Sequence, residues 1–498
     1  MSIEPSGLTL PSARDTRDSA LLDRAFTRAA GSPLVPGNSL RVLKDGADNY
    51  SAWLEAIRHA RERIYFENYF IVDDATGREF AEALAERARA GVRVRLIYDW
   101  VGSLHKAPRR FWRALTDAGV EVRCFNPFRF SAPFQTLHRD HRKMIAIDGR
   151  VGFITGLCVG DMWIAHPGQG GEGWRDTGVE IRGPALCDIE RAFAQVWAAI
   201  GTPIPPNELV RRESIPEAGD VSLRIVASAP GATGLFRVDQ LVAAAARHSL
   251  WLTDAYFAGV PPYVQALRAA AKDGVDVRLL VPGASDIPAL RPITQAGYRP
   301  LLEAGIRVFE WKGPMLHAKT AVADGRWARV GSSNLNVASW IGNYELDVLI
   351  EHEATAVQME QMYLADLENS TEIVLFPRRR RRDSLGLPSA RELRGISGGG
   401  RGSASRAAAG ALRIGRAVGA ALTEQRVLAN TEARVLGLMG VVLLALGVCI
   451  AIWPLVGAVP LAVILVWMAV SLLIRARALR KARRTQGLPP TRVGRAGP

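Results

Sequence analysis

Two segments of the chain carry the same reactive side chains at the same spacing. They read HRKMIAIDGRVGFITGLCVG from position 141 and HAKTAVADGRWARVGSSNLN from position 317. In each, a histidine and a lysine stand two residues apart, which places both on one face of an extended strand. Lysine neutralises the non-bridging oxygens of a phosphate ester, and histidine attacks phosphorus or transfers a proton near neutral pH. His141 with Lys143, and His317 with Lys319, therefore predict chemistry on a phosphate ester.

An Asp-Gly pair follows each reactive pair, at Asp148-Gly149 and at Asp324-Gly325. Asp-Gly suits a type I′ turn between two antiparallel strands. Each segment is therefore predicted to be a β-hairpin, with the aspartate fixing the turn.

The two segments belong to a longer internal duplication. DGVDVRLL at 273–280 repeats AGVRVRLI at 90–97, and AGIRV at 304–308 repeats AGVEV at 118–122. A single long period indicates two related halves rather than a solenoid. Within the first half, strands at 63–72, 92–98 and 120–125 and a helix at 77–90 are expected from hydrophobic periodicity, which is typical of an α/β fold.

Charge and hydropathy divide the chain further. The net charge of +14 lies in the C-terminal quarter and leaves −3 for residues 1–377, which speaks against a nucleic-acid substrate. Residues 435–474 contain no charge and are interrupted by prolines, which predicts a transmembrane hairpin of two helices. Basic residues flank both of its ends, so both ends are expected on the cytoplasmic side. The four scattered cysteines favour neither a disulfide scaffold nor a cysteine zinc site.

Six regions are expected along the chain. They are a flexible N-terminal lead (1–33), a first half (34–212), a second half (213–377), a basic Gly/Ser/Arg-rich linker that includes an interfacial helix or a plain connector (378–434), the transmembrane hairpin (435–474) and a basic tail (475–498).

The second segment matches the pattern H-x-K-x4-D-x6-G-S-x-N in full, with His317, Lys319, Asp324, Gly331, Ser332 and Asn334. This pattern resembles that of the phospholipase D superfamily. Flanking sequences such as ENYF at 67–70, DWVGS at 99–103 and WRDT at 174–177 resemble bacterial cardiolipin synthases, and the resemblance covers roughly residues 35–376. It implies two α/β/α halves that face each other, with one active site at their pseudo-twofold seam.

The resemblance also implies roles for individual residues in a covalent phosphohistidine route without metal or other cofactor. It favours His141 as the nucleophile and leaves His317 to protonate the leaving alcohol. The residues that it assigns to catalysis are His141, Lys143, Asp148, His317, Lys319 and Asp324, although the two aspartates are expected to act through the turn. Those that it assigns to the substrate phosphate are Lys143, Lys319, Ser332 and Asn334. Asp176 and Glu345 are expected to orient the histidines, with Asp347 as an alternative to Glu345.

The first segment departs from the pattern, because Thr155-Gly-Leu-Cys158 stands where the second has Gly331-Ser-Ser-Asn334. A thiol is a poor substitute for an amide as a hydrogen-bonding group. The departure puts symmetric phosphate binding in doubt, although both His-Lys pairs are intact.

The resemblance implies an enzyme that transfers a phosphatidyl group between two phosphatidylglycerol molecules to make cardiolipin and release glycerol. The expected location is the bacterial inner membrane, with the catalytic region on the cytoplasmic side of an anionic phospholipid bilayer. The alternatives are a phospholipase D that releases phosphatidic acid, a nuclease of the same superfamily, and a lipid-binding scaffold that has lost catalysis.

Overall fold

A computed structural model describes residues 13–128, 138–165 and 172–375, with residues 426–427 and single positions between 441 and 470. The predicted linker, transmembrane hairpin and tail otherwise lie outside the described residues. Among the residues that are described, no helix is both long and apolar enough to cross a membrane. The elements below belong to a unit formed by residues 1–125 and 139–432.

The helices are α1 (Ala13–Ala30), α2 (Asp45–Arg58), α3 (Ala75–Arg89), α4 (Arg109–Asp117), α5 (Leu186–Ala199), α6 (Gly234–Ala245), α7 (Pro261–Lys272), α8 (Leu290–Ala296), α9 (Tyr298–Glu303) and α10 (Glu353–Glu368). The strands of the first half are β1 (Val35–Lys44), β2 (Arg63–Asn68), β3 (Arg93–Asp99), β4 (Glu121–Phe125), β5 (Met144–Ile147), β6 (Val151–Thr155) and β7 (Thr177–Arg182). Those that follow are β8 (Val221–Ser228), β9 (Ser249–Thr253), β10 (Asp276–Pro282), β11 (Arg307–Trp311), β12 (Thr320–Ala323), β13 (Trp327–Gly331), β14 (Glu345–Glu351), β15 (Ser370–Val374) and β16 (Arg426–Val427).

The strands form one continuous sheet in which the second half mirrors the first. Outward from the centre, the first half runs β1-β7-β6-β5-β2-β3-β4 and the second runs β8-β14-β13-β12-β9-β10-β11, followed by β15 and β16. An irregular antiparallel pairing of β1 with β8 joins the halves. The strand order therefore confirms the duplication that the sequence repeats predict.

Helices cover both faces of the sheet. Trp53 of α2, Phe80 of α3 and Leu115 of α4 build an outer core on the first half, and α6, α7 and α9 build the corresponding core on the second. A third core unites the halves. Helix α5 and strand β7 of the first half pack there with helix α10 and strand β14 of the second. This shared core fixes the relative position of the two reactive segments.

The predicted strands and helix of the first half are confirmed as β2, α3, β3 and β4, within a few residues at each end. The aspartates and glycines of both predicted turns have positive φ, as a type I′ turn requires, with φ of 55° at Asp148 and 52° at Asp324. The reactive pairs themselves lie in extended segments that end where β5 and β12 begin.

The expectation of a flexible lead is wrong for residues 13–30, which form α1. Phe26 and Ala29 of this helix are buried in the outer core of the second half. Arg224 of β8 donates a hydrogen bond to the Thr27 hydroxyl at 2.8 Å and also pairs with Asp23. These contacts join residues about 200 positions apart, so local periodicity does not reveal the helix.

Candidate active site

The two histidines are brought together by backbone hydrogen bonds that cross between the halves. The N–H of His141 donates to the carbonyl of Tyr344 at 2.9 Å, and the N–H of His317 donates to the carbonyl of Arg175 at 2.7 Å. Each histidine directly follows a residue that forms an isolated parallel β-bridge with the other half. Asp140 bridges to Tyr344, and Leu316 bridges to Arg175. The reactive segments therefore meet in one site.

Each histidine is hydrogen-bonded to a carboxylate of the opposite half. Nδ1 of His141 lies 2.9 and 3.1 Å from the two carboxylate oxygens of Glu345, and Nδ1 of His317 lies 2.7 Å from Oδ2 of Asp176. Thr155 and Gly331 are equivalent positions of the two segments, and they pair with Gly178 and Asp347 on the neighbouring strands. Asp176 and Glu345 each precede these partners by two residues, so they occupy equivalent positions. The arrangement consists of two crossed His-carboxylate pairs.

Asp347, the alternative to Glu345, makes no hydrogen bond to a histidine of the described part of the chain. Its carboxylate accepts a hydrogen bond from the Ser333 hydroxyl and lies in the field of the buried Arg329. Burial raises the pKa of Asp347 to about 7 despite that field. The geometry therefore favours Glu345 as the partner of His141.

Burial and electrostatics fix the charge states of the pairs. Burial lowers the pKa of both His141 and His317 to about 4, and the neighbouring lysines act in the same direction. Burial alone would raise the pKa of Asp176 and Glu345, but the adjacent histidine and lysine outweigh it and lower both. Near neutral pH each carboxylate is therefore ionised, and each neutral imidazole donates from Nδ1 and keeps a lone pair on Nε2.

Both lysines are buried beside their histidines. Nζ of Lys143 lies 2.5 Å from the carbonyl of His141, and Nζ of Lys319 lies 3.0 Å from Nε2 of His317. Burial lowers the pKa of both ammonium groups, that of Lys319 to about 8. Two buried positive charges beside two neutral imidazoles form a site that suits a phosphodiester anion.

Ser332, which is expected to bind the substrate phosphate, lies beside Glu345. Its hydroxyl donates a hydrogen bond to Oε2 of Glu345 at 2.5 Å and is fully buried, so it holds the carboxylate that holds His141. Asn334 is buried, and among the described residues its side-chain oxygen has no hydrogen-bond partner. Asn334 thus remains the candidate for the phosphate, whereas Ser332 is a positioning residue.

Asp148 and Asp324 are not part of the reactive cluster. The Asp148 carboxylate accepts three backbone N–H bonds at 2.8–2.9 Å from residues 61–63, and Asp324 accepts three at 2.7–2.9 Å from residues 247–249. Each aspartate ties its turn to the start of the neighbouring strand. These bonds agree with the expectation that the aspartates fix the turns, and a role in catalysis stays a prediction.

The first half differs from the second at the position equivalent to Ser332, which is Gly156. A Cβ atom there would lie 2.2 Å from Oδ1 of Asp176, so glycine is needed for this carboxylate to reach His317. Cys158, equivalent to Asn334, is fully buried, and burial raises the pKa of its thiol. The two halves therefore hold equivalent carboxylates by different means.

Sequence reasoning missed the aromatic walls of the site. The ring of Tyr69 lies 5.0 Å from that of His141, and the rings of Trp163, Trp174 and Tyr256 lie 5.6–5.8 Å from that of His317. Tyr69 and Trp174 belong to the flanking sequences that carry the resemblance, which was the available signal. Within the described ranges, no three His, Cys, Asp or Glu side chains converge to suit a metal ion.

Comparison with known proteins agrees with this geometry. Residues 53–160 and 241–367 match the family described as "Cardiolipin synthase, PLD-like domain". The chain is 34% identical to "Cardiolipin synthase A" of Pseudomonas fluorescens (strain SBW25) over 375 residues, which covers 74% of this chain and 77% of that protein. It is 31% identical to "Cardiolipin synthase" of Alkalihalophilus pseudofirmus, with 71% of each protein covered.

Among solved structures, the phosphatidylserine synthase of Haemophilus influenzae Rd KW20 shares the fold. Its TM-score is 0.54 at 17% sequence identity, and the match covers 70% of this chain and 91% of that one. Taken with the two crossed His-carboxylate pairs, the identity to the Pseudomonas and Alkalihalophilus proteins shows that this chain belongs to the cardiolipin synthase family of phospholipase D-type phosphatidyltransferases.

Proposed function

We propose that the protein makes cardiolipin from two phosphatidylglycerol molecules through a phosphatidyl-histidine intermediate and releases glycerol. The observation that supports this proposal most strongly is the pair of neutral imidazoles, each held at Nδ1 by an ionised carboxylate of the other half. One imidazole is needed as a nucleophile and the other as a proton carrier, and both need Nε2 directed at the substrate.

In the first step, Nε2 of His141 attacks the phosphorus of one phosphatidylglycerol. A P–N bond forms and the P–O bond to the headgroup glycerol breaks. His317, which takes up a proton at Nε2 when the phosphodiester anion binds, gives that proton to the departing oxygen. The assignment of His141 as nucleophile is supported by its Nε2 atom, which has no hydrogen-bond partner among the described residues, whereas Nε2 of His317 contacts Lys319. The negative charge of the bound phosphodiester raises the pKa of His317 and so favours its protonated form.

In the second step, the headgroup of another phosphatidylglycerol supplies the nucleophile. Its hydroxyl gives a proton to Nε2 of His317, its oxygen bonds to phosphorus, and the P–N bond to His141 breaks. Cardiolipin leaves and His317 is protonated again, so atoms and charge balance over the cycle. Lys143, Lys319 and the amide of Asn334 would hold the non-bridging oxygens throughout.

The membrane anchor remains part of this proposal. The uncharged segment 435–474, with basic residues on both sides, would tether the catalytic unit to the cytoplasmic face of a bacterial inner membrane. Such a tether keeps the site beside an anionic phospholipid bilayer that contains both substrates.

Product analysis tests the proposal. Purified protein in mixed micelles with phosphatidylglycerol as the sole lipid is expected to form cardiolipin and free glycerol in equal amounts by mass spectrometry. Both products should be lost in His141→Asn and in His317→Asn. Phosphatidic acid without cardiolipin would instead establish a phospholipase D, and unchanged turnover in either variant would overturn the two-histidine route.

A further inference from the structure

Six large apolar side chains are exposed at the histidine end of the sheet, in the loops that connect its strands. We refer to this set as the apolar rim: Val101, Leu104, Ile287, Ile293, Val337 and Ile341, each 38–55% exposed. Ile293 lies on helix α8 and Ile341 on a short helical turn within these loops. The loops follow β3, β10 and β13, and β2, β3, β9 and β10 all end beside the starts of β5 and β12. Apolar side chains concentrated at one edge of a sheet are typical of an interaction surface.

In the first half, the rim loop packs against Tyr69, whose ring borders the site. The Asp99 carboxylate accepts N–H bonds from Val101 and Gly102 at 2.8 and 3.0 Å. Gly102 lies so close to Tyr69 that a Cβ atom would be 2.4 Å from the Tyr69 carbonyl oxygen. The Tyr69 ring contacts His141, so Tyr69 connects this loop to the site, and we refer to the face of the site at this end of the sheet as its mouth.

In the second half, two contacts connect the rim to Tyr256, whose ring faces His317, and a third connects it to the next residue, Phe257. The Tyr256 hydroxyl donates to Asp286 at 2.8 Å, next to Ile287, and the Asn336 amide donates to the Tyr256 carbonyl at 3.0 Å, next to Val337. The Thr294 hydroxyl, next to Ile293, donates to the carbonyl of Phe257 at 2.9 Å. The rim therefore borders both histidines.

Basic side chains accompany the rim. Arg109 and Arg110 are exposed at the start of α4, directly after the Val101–Leu104 loop, and Arg291 is exposed between Ile287 and Ile293. Apolar side chains that enter a headgroup region, surrounded by arginines that meet its phosphates, complement an anionic bilayer surface.

We propose that the apolar rim inserts into the surface of an anionic phospholipid bilayer and holds the site mouth against it. This inference deepens the proposed function and rests on it, because a phospholipid that leaves the bilayer exposes its acyl chains to water. With the mouth at the headgroup level, the phosphodiester can reach His141 and His317 while the acyl chains stay in the bilayer.

Fluorescence quenching tests the contact without relying on turnover. Leu104→Cys and Ile287→Cys in the full chain are labelled with an environment-sensitive dye and reconstituted in phosphatidylglycerol vesicles that contain a spin-labelled lipid. Leu364→Cys, at an exposed leucine of α10, is the matched control, and unsubstituted protein gives the background of the native cysteines. Blue-shifted emission and quenching at both rim positions, absent at position 364, are expected.

Rim dyes that stay unquenched would overturn the proposal. A blue shift without quenching that appears only at high protein density would also overturn it, because it would indicate a second copy of the chain on the rim. Kinetics give an independent readout. Leu104→Ser with Ile287→Ser is expected to lower the ratio of vesicle to monomeric short-chain phosphatidylglycerol turnover by about tenfold or more, while Leu364→Ser leaves it unchanged. An unchanged ratio in the rim variant would contradict docking. No turnover of either substrate, with the rim dyes still quenched, would count against the proposed function alone.

Discussion

Replacing Glu345 by Gln tests the crossed pairing most sharply. The substitution keeps the side-chain size but removes the charge that faces Nδ1 of His141 at 2.9 Å in a fully buried position. When Nε2 attacks phosphorus, the imidazole becomes positively charged, and the carboxylate stabilises that charge. A hydrogen bond to a charged group contributes about 1.5–3 kcal/mol, so kcat is expected to fall roughly 10- to 150-fold.

Asp347→Asn is the matched control, because this buried carboxyl lies two residues further along β14 and bonds to Ser333 rather than to His141 or His317. Burial raises its pKa to about 7, so an amide resembles the protonated form that it already populates. Cardiolipin formation from phosphatidylglycerol is measured for both variants, with circular dichroism to check folding. A loss below threefold in Glu345→Gln, or an equal loss in a folded Asp347→Asn, would refute the crossed pairing.

Three further predictions concern the phosphate and the second pair. Asn334→Ala is expected to lower kcat/KM by about tenfold or more, while Cys158→Ala at the equivalent position stays within about threefold, because a neutral thiol holds no phosphate oxygen; equal losses would contradict this asymmetry. Since the pKa of Lys319 is lowered to about 8, this side chain should lose its charge, and kcat/KM should fall, as the pH rises through about 8. In Lys319→Arg the fall in kcat/KM should move to higher pH. A fall that stays at the same pH would show that another group causes it. Gly156→Ala should abolish turnover, because the new Cβ atom would lie 2.2 Å from Oδ1 of Asp176 and force this carboxylate away from His317. Wild-type turnover in this variant would show that the carboxylate is dispensable.

The reactive residues could be predicted from sequence because their chemistry is encoded locally. A histidine and a lysine two positions apart, followed by Asp-Gly, identify an extended segment and its turn without knowledge of the rest of the chain. The duplication then indicated two such segments, and the strand order confirms it. The two histidine-orienting carboxylates were also identified, since each follows its motif at a comparable distance.

Which carboxylate pairs with which histidine could not be predicted, since the pairing depends on how the halves pack. Glu345 and His141 are 204 positions apart, and Asp176 and His317 are 141 apart. The contact of Ser332 with Glu345 could not be predicted for the same reason, because Glu345 lies on an adjacent strand. Helix α1 was missed because its stabilising contacts, such as that of Arg224 with Thr27, come from the distant second half.

The measurement that tests the central claim most directly locates the covalent intermediate. Wild-type protein is mixed rapidly with phosphatidylglycerol, quenched in base to preserve the P–N bond, digested and examined by mass spectrometry. A phosphatidyl group on the peptide that contains His141, absent in His141→Asn, is the predicted result. An adduct on His317 instead, or cardiolipin formation with no adduct on either histidine, would contradict the proposed mechanism.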